Sequence, residues 1–222
     1  IQPEDAEWDA ADYDYNVVRW SSEPDGNLLG IGPSVSNPLT GEIISADVVN
    51  KLLAIKLGYN YRKLYGYTKD NDPLMQYITN LTLHEVGHVL GLRHNFRGSY
   101  LYSPDEIHDK NITGNVLMSS VMDYDPINIA PEGVEQGIYF STEPGVYDKW
   151  AVKFGYSPNL TDEERTALLQ QSVKRELTFG TDDDAMSYPG NNIDPRTKRY
   201  DMSNDPIGYA EDIVKIVDQK IN

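Results

Sequence analysis

The string His84-Glu85-Val86-Gly87-His88-Val89-Leu90-Gly91-Leu92-Arg93-His94 has the residue types and the spacing of a metal site built at the end of a helix. On a helix, His84 and His88 lie one turn apart, so both imidazoles leave the same face and can grip one ion. Glu85 stands beside the first imidazole, where its carboxylate can reach a water on that ion and take its proton. Gly91 permits a backbone turn that a residue with a Cβ resists; the turn ends the helix and brings His94 back as a third ligand. Three neutral imidazoles leave a fourth position for water, which is the arrangement of a catalytic zinc site rather than a closed structural one. The chain holds 4 His, and three of them fall in this one string, which argues against ordinary core histidines. The fourth, His108, lies in the acidic string Pro104-Asp105-Glu106-Ile107-His108-Asp109 and is expected to be exposed, with no metal role.

Downstream, Ser119-Ser120-Val121-Met122-Asp123-Tyr124 would be an ordinary turn if it stood alone. Placed after the long zinc motif, it resembles the Met-turn of the metzincin clan of zinc metallopeptidases. That resemblance implies that Met122 packs beneath the imidazoles as an apolar floor without binding the metal, a role that suits an unbranched side chain. It also implies that Tyr124 matches the tyrosine that astacin-like and serralysin-like metzincins keep near the metal. A phenol there can ligate the resting ion or hydrogen-bond an oxyanion.

Further strings are similar to one bacterial branch of long, secreted, zinc-dependent metalloproteins. They are Asn16-Val17-Val18-Arg19-Trp20, Gly41-Glu42-Ile43-Ile44-Ser45-Ala46-Asp47, Asn128-Ile129-Ala130-Pro131-Glu132-Gly133, Tyr147-Asp148-Lys149-Trp150-Ala151 and Tyr200-Asp201-Met202-Ser203-Asn204-Asp205-Pro206. This likeness implies an extracellular or periplasmic setting and flanking domains in a longer chain but fixes no substrate; the Met-turn resemblance is what argues for a protein or peptide substrate.

Composition sets bounds. Thirty-five acids against 19 bases give a net charge of -16, which makes nucleic acid or an anionic membrane a poor partner. There is no Cys, so neither disulfides nor a thiolate metal site contribute. No apolar run is long enough to span a membrane. The chain starts at Ile1 without a signal-like segment, which reads as a fragment or processed form.

The elements that must position the site read as follows. Residues 1–12 are an acidic lead-in. Strands are expected over Asp14 to Trp20, Leu28 to Ser36 and Glu42 to Val49. Turns are expected at Pro24-Asp25-Gly26-Asn27 and Asn37-Pro38-Leu39-Thr40-Gly41, the second making a hairpin whose edge could take an extended peptide. Helices are expected over Lys51 to Tyr65, from Pro73 to about Leu90, over Glu143 to Gly155 with Trp150 and Phe154 as buried anchors, from the capping box at Thr161 to about Leu177, and over Pro206 to Ile221. The Asp-rich stretch supplies Asp182, Asp183, Asp184, Asp194 and Asp201. These could hold calcium but lack a regular loop spacing, and solvated turns are the preferred reading.

The expected architecture is a single α+β, metzincin-like zincin domain over residues 1–222. An upper lobe over residues 1–91 carries a twisted mixed sheet, with an antiparallel edge strand, over the active-site helix. A helical and irregular lower lobe covers residues 92–222. Metzincins begin with a strand and a long helix before the strand expected at Asp14 to Trp20, so these either precede Ile1 or the upper lobe is reduced. The expected activity is hydrolysis of internal peptide bonds with one catalytic zinc. The alternatives are a zinc-carrying peptide- or glycan-binding module without turnover, and a zinc hydrolase of a non-peptide amide.

Overall fold

In the computed structural model, residues 4–22, 28–185 and 194–221 are described; the turn expected at Pro24 to Asn27 and residues 186–193 of the Asp-rich stretch lie outside them. Five short strands form two sheets: β1 (Val18–Ser21), β2 (Gly30–Ile31), β3 (Ser34–Ser36), β4 (Ile43–Ala46) and β5 (Val48–Lys51). In the first sheet, β5 is central, with β1 parallel on one side and β2 antiparallel on the other. β3 and β4 form the second sheet, the expected hairpin, closed by the Asn37 carboxamide accepting from Leu39 N at 2.9 Å and by Gly41 at φ +76°. The fold is thus α+β, with a mixed sheet and an antiparallel edge strand.

Three strands are shorter than their sequence patterns predict, because polar side chains and Pro33 interrupt the ladders. The Asn16 Oδ1 accepts from Ala46 N at 2.8 Å, so the first strand begins only at Val18. Gly32 and Pro33 divide the second expected strand into β2 and β3, since proline has no N–H for a ladder. Asp47 divides the third: its N–H bonds to Pro33 O at 3.1 Å and its carboxylate accepts from Val17 N at 3.3 Å. The chain changes sheet at both breaks.

Below the sheet lie α1 (Leu52–Tyr65) and α2 (Pro73–Val89). The Asp72 carboxylate caps α2 by accepting from Leu74 N at 3.1 Å and is held by Arg62, while Pro73 takes the first turn, where its missing N–H is harmless. Ala54 is fully buried at the α1–α2 contact, where it clusters with Tyr77, Tyr139 and Phe140. The central strand reaches α2 through Asn50, which donates to Thr82 Oγ1 at 3.0 Å.

Residues 92–143 contain little regular structure yet are fixed, because amide side chains take over the work of a ladder. The buried Asn128 donates to Ile107 O at 3.1 Å and Ile138 O at 2.9 Å, and Gln136 bonds back to Ala130 N and Asn128 O. Gln76 on α2 accepts from Tyr139 N at 2.7 Å and ties this region to the upper helices. His108 is buried, not exposed as its acidic neighbourhood suggested: Ile107 beside it sits in the core, and the Gly137 backbone closes over its carbonyl.

The remaining helices are α3 (Lys110–Thr113), α4 (Val146–Tyr156), α5 (Asp162–Gln170) and α6 (Pro206–Ile221). Trp150 and Phe154 on α4 stack at 6.2 Å but are only half-buried; the buried residue of that helix is Asp148. The Thr161–Glu164 capping box opens α5 as expected, but the helix stops at Gln170 and gives way to two 3₁₀ turns. A strap follows the Asp-rich stretch, with Asp201, Met202 and Ser203 all buried before α6.

Burial pushes the Asp201 carboxyl up to about 6. The unfolded chain releases this proton at about 3.9, so between about pH 4 and 6 the native state binds more protons, and stability falls as pH rises through that window. Asp201→Asn removes the charge. We expect it to raise the urea midpoint at pH 7 by an amount equivalent to at most about 3 kcal/mol and to change it little at pH 4. Equal midpoint shifts at the two pH values would contradict this.

Candidate active site

The end of α2 builds the site. His84 and His88 lie one turn apart on the helix; Leu92 N–H bonds to Gly87 O at 3.0 Å, and Gly91 at φ +82° turns the chain so that His94 comes back to them. One ring nitrogen from each of the three lies within 4.8 Å of the other two, and among the described residues no other group of His, Cys, Asp or Glu is so placed. The Nε2 atoms of His88 and His94 are 3.2 Å apart. Two nitrogens at about 2.0–2.1 Å from a tetrahedral ion lie about 3.3 Å apart, so the spacing fits one zinc.

The other ring nitrogens have acceptors. His84 Nδ1 faces Val121 O at 2.7 Å, His88 Nδ1 faces Leu92 O at 3.0 Å and His94 Nδ1 faces Asp182 Oδ2 at 2.9 Å. An Nδ1–H spent on such an oxygen leaves the Nε2 lone pair of that ring for a metal. Two such lone pairs facing each other at 3.2 Å are spaced to share one cation. Burial lowers the pKa of His84 to about 3 and also lowers that of His88, so both are neutral ligands at neutral pH.

Met122 is fully buried under this group. A Cβ at Gly87, on the turn between His84 and His88, would overlap the Met122 sulfur, so Gly87 is what lets the sulfur close against the helix. The Met-turn is fixed from both sides. Asp123 accepts from Ser99 N at 3.0 Å and Tyr124 N at 2.8 Å, while Asp148 on α4 accepts from Ser120 Oγ at 2.6 Å, Val121 N at 2.8 Å and Gly145 N at 2.8 Å. The Tyr124 ring lies 4.7 Å from that of His94 and 5.5 Å from that of His84. Its burial, with Asp182 nearby, raises its pKa and keeps the phenol protonated as a donor.

Glu85 faces the opposite wall, where β2 lies against it. A Cβ at Gly30 would meet the Glu85 carboxylate at 2.6 Å, and one at Gly32 would overlap the Glu85 carbonyl. Gly30 and Gly32 alternate onto the same face of the chain, so both are small because the active-site helix passes there. Glu85 is 5% exposed, and burial pushes its carboxyl up to about 7, near the working range of a general base at neutral pH. A cleft of about 680 Å³ opens between residues 28–33 on one side and Tyr124, Asp125 and Tyr200 on the other, with all three His and Glu85 in its lining.

The structure thus brings His84, Glu85, His88, His94, Met122 and Tyr124 together, with Gly91 as the turn. The sequence reading did not find Asp182, Tyr200, Gly30, Gly32 or Gly87 in the site. A Gly-x-Gly within a strand pattern was the one available signal, since it marks close backbone approach. Four of the five acids considered for calcium are engaged separately, Asp182 with His94, Asp183 with Arg93, Asp184 with Thr181 N, and Asp194 with Arg97 and Arg196, and the fifth, Asp201, is buried in the strap before α6. Asp182→Asn should weaken zinc binding about 10–100-fold in a competitive chelator titration, because the amide can turn its NH₂ toward His94 Nδ1 and so disturb the tautomer. An unchanged affinity would remove Asp182 from the site.

A helix carrying three converging imidazoles beside a mixed sheet, with a buried methionine below, defines a zincin of metallopeptidase type. The model of the Met-zincin family matches residues 67–222, and the chain belongs to that family. Comparison with curated proteins and with solved structures gives no match. Among the described residues, no helix is long and apolar enough to cross a membrane.

Proposed function

We propose that this protein is a zinc-dependent endopeptidase. The observation that carries the reading is the convergence of one ring nitrogen from each of His84, His88 and His94 in an open cleft whose lining also holds Glu85. His84, His88 and His94 would hold the zinc, which would supply Lewis-acid polarisation of a carbonyl and lower the pKa of a water from about 15.7 to about 7. Glu85 takes the proton from the attacking water and returns it to the leaving amine. Tyr124 donates its phenolic proton in a hydrogen bond to the oxyanion that develops on the scissile carbonyl. Met122 fixes the floor, and Asp182, Val121 O and Leu92 O hold the three rings in one tautomer.

An extended peptide suits this cleft because β2 is an edge strand of its sheet and residues 28–33 form the wall. Backbone pairing along such an edge binds a main chain without regard to sequence and places the scissile bond over the metal site. An extracellular setting and flanking domains go with this reading. It is tested by incubating the zinc-loaded protein with a denatured protein mixture and mapping new termini by mass spectrometry. Internal cuts that stop with a chelator and return with zinc are expected; no cuts from a fully zinc-loaded chain would contradict it.

A further inference from the structure

Among the described residues, Tyr200 alone lines both the zinc cleft and a second cavity of about 680 Å³, whose lining continues to Asp201. The second cavity lies between the end of α1 and α6, and its lining is apolar, including Leu64, Ile127, Ile129, Ile213 and Val214. Its volume falls within the range of about 300–1,000 Å³ usual for sites that take small ligands or side chains.

Tyr200 is displayed rather than packed. It is 69% exposed, although Asp201, Met202 and Ser203 directly after it are buried at 9%, 0% and 0%. It holds φ +64°, a conformation that costs an aromatic residue energy and persists only where the surroundings impose it. The constraint is visible: Tyr200 N–H bonds to Tyr124 O at 3.0 Å, and the two rings stack at 5.8 Å. An exposed aromatic in a strained conformation, fixed on the residue that faces the metal site, is a poor arrangement for stability alone.

We propose that Tyr200 is a specificity-determining wall, over which a bound peptide passes from the zinc cleft into the groove between α1 and α6. The groove then takes a large apolar side chain of the same peptide, some residues away from the scissile bond. The occupant follows from adjacency: Tyr200 lines both the cleft and the groove, so a chain that leaves the cleft past Tyr200 meets the groove next. The proposal rests on the endopeptidase reading and gives it a substrate class, extended chains with a distal Phe- or Leu-sized residue.

The test uses binding, so that it does not depend on turnover. Zinc-loaded Glu85→Gln is titrated by fluorescence anisotropy with a short peptide that fills the cleft alone, and with longer peptides ending at either terminus in Phe or in Ser. Burial of one such side chain corresponds to about a tenfold to hundredfold gain, so one of the Phe-ended peptides should bind that much tighter than its Ser counterpart. Val214→Arg on α6 and Leu64→Arg on α1 place a charge in the groove from opposite sides, at positions 60% and 62% exposed where folding tolerates it. Each should erase the Phe preference and leave the short peptide's affinity unchanged, while Tyr200→Ala should reduce the preference. Binding of all peptides with no Phe preference, or a preference untouched by both Arg variants, would overturn the groove and spare the endopeptidase. Failure of every peptide to bind would overturn both.

Discussion

Glu85→Ala should keep one zinc per chain and lose at least about a hundredfold in kcat/KM, reaching about ten-thousandfold if Glu85 carries the whole proton transfer. The separation of these two effects is what the geometry predicts. Glu85 is not among the three converging nitrogen donors, and its carboxylate faces β2 instead. Removing it leaves every imidazole and every Nδ1 acceptor in place, so metal affinity is preserved. What is lost is a buried carboxylate whose pKa stands at about 7 through desolvation, a value suited to accepting a proton and returning it in one cycle. A general base contributes about 10²–10⁴ in rate, and Glu85 follows His84 directly on α2, while the other carboxylates of the cleft lining, Asp123 and Asp125, come from the Met-turn. Zinc content by elemental analysis and progress curves on one peptide measure both effects. Cleavage at the wild-type rate would remove Glu85 from the mechanism.

His88→Ala should lose both zinc and activity. His88 holds the central position of the three, with its ring 4.8 Å from each of the other two. Without it, His84 and His94 remain as two ligands with no fixed third, and the Nδ1 bond that ties the helix end to Leu92 O goes as well. The loss reads directly as stability, because an ion that binds only the native state stabilises it by mass action. At a free zinc concentration about 1,000 times Kd the gain is about 4 kcal/mol, which in a chain of this size moves Tm by about 8–16 °C. Wild-type protein should therefore show that rise on zinc addition, and His88→Ala should melt at one temperature with or without zinc. A zinc-dependent Tm in the variant would show that the ion is held elsewhere.

The metal site was legible from the sequence because its chemistry is local. His84, Glu85 and His88 share one helix, and His94 follows the glycine that turns the chain, so helical geometry alone places them. The Met-turn was legible by resemblance, and α1, α2 and α6 were legible from a Leu-, Tyr- and Lys-rich run, from Pro73 at the first turn and from an amphipathic pattern. What stayed hidden is non-local. Asp182 meets His94 across 88 residues, and Tyr200 meets Tyr124 across the Asp-rich stretch; neither pairing leaves a pattern in the intervening chain. The strand lengths were overread because Asn16 and Asp47 bond to backbone groups of other strands and replace ladder bonds at the breaks. His108 was misread because its neighbours Asp105, Glu106 and Asp109 are polar, whereas the apolar Ile107 decides which way that turn faces. Trp150 and Phe154 were overweighted for size, when the residue that fixes α4 to the Met-turn is the buried Asp148.

Zinc-edge X-ray absorption on the stoichiometrically loaded protein tests the central claim most directly, that three imidazoles make an open site. The account predicts three nitrogen neighbours at about 2.0–2.1 Å, completed by oxygen from solvent or Tyr124, and loss of one nitrogen shell in any variant that still loads after losing one His. A shell closed by four protein nitrogens, or zinc bound with fewer than three imidazoles, would contradict it.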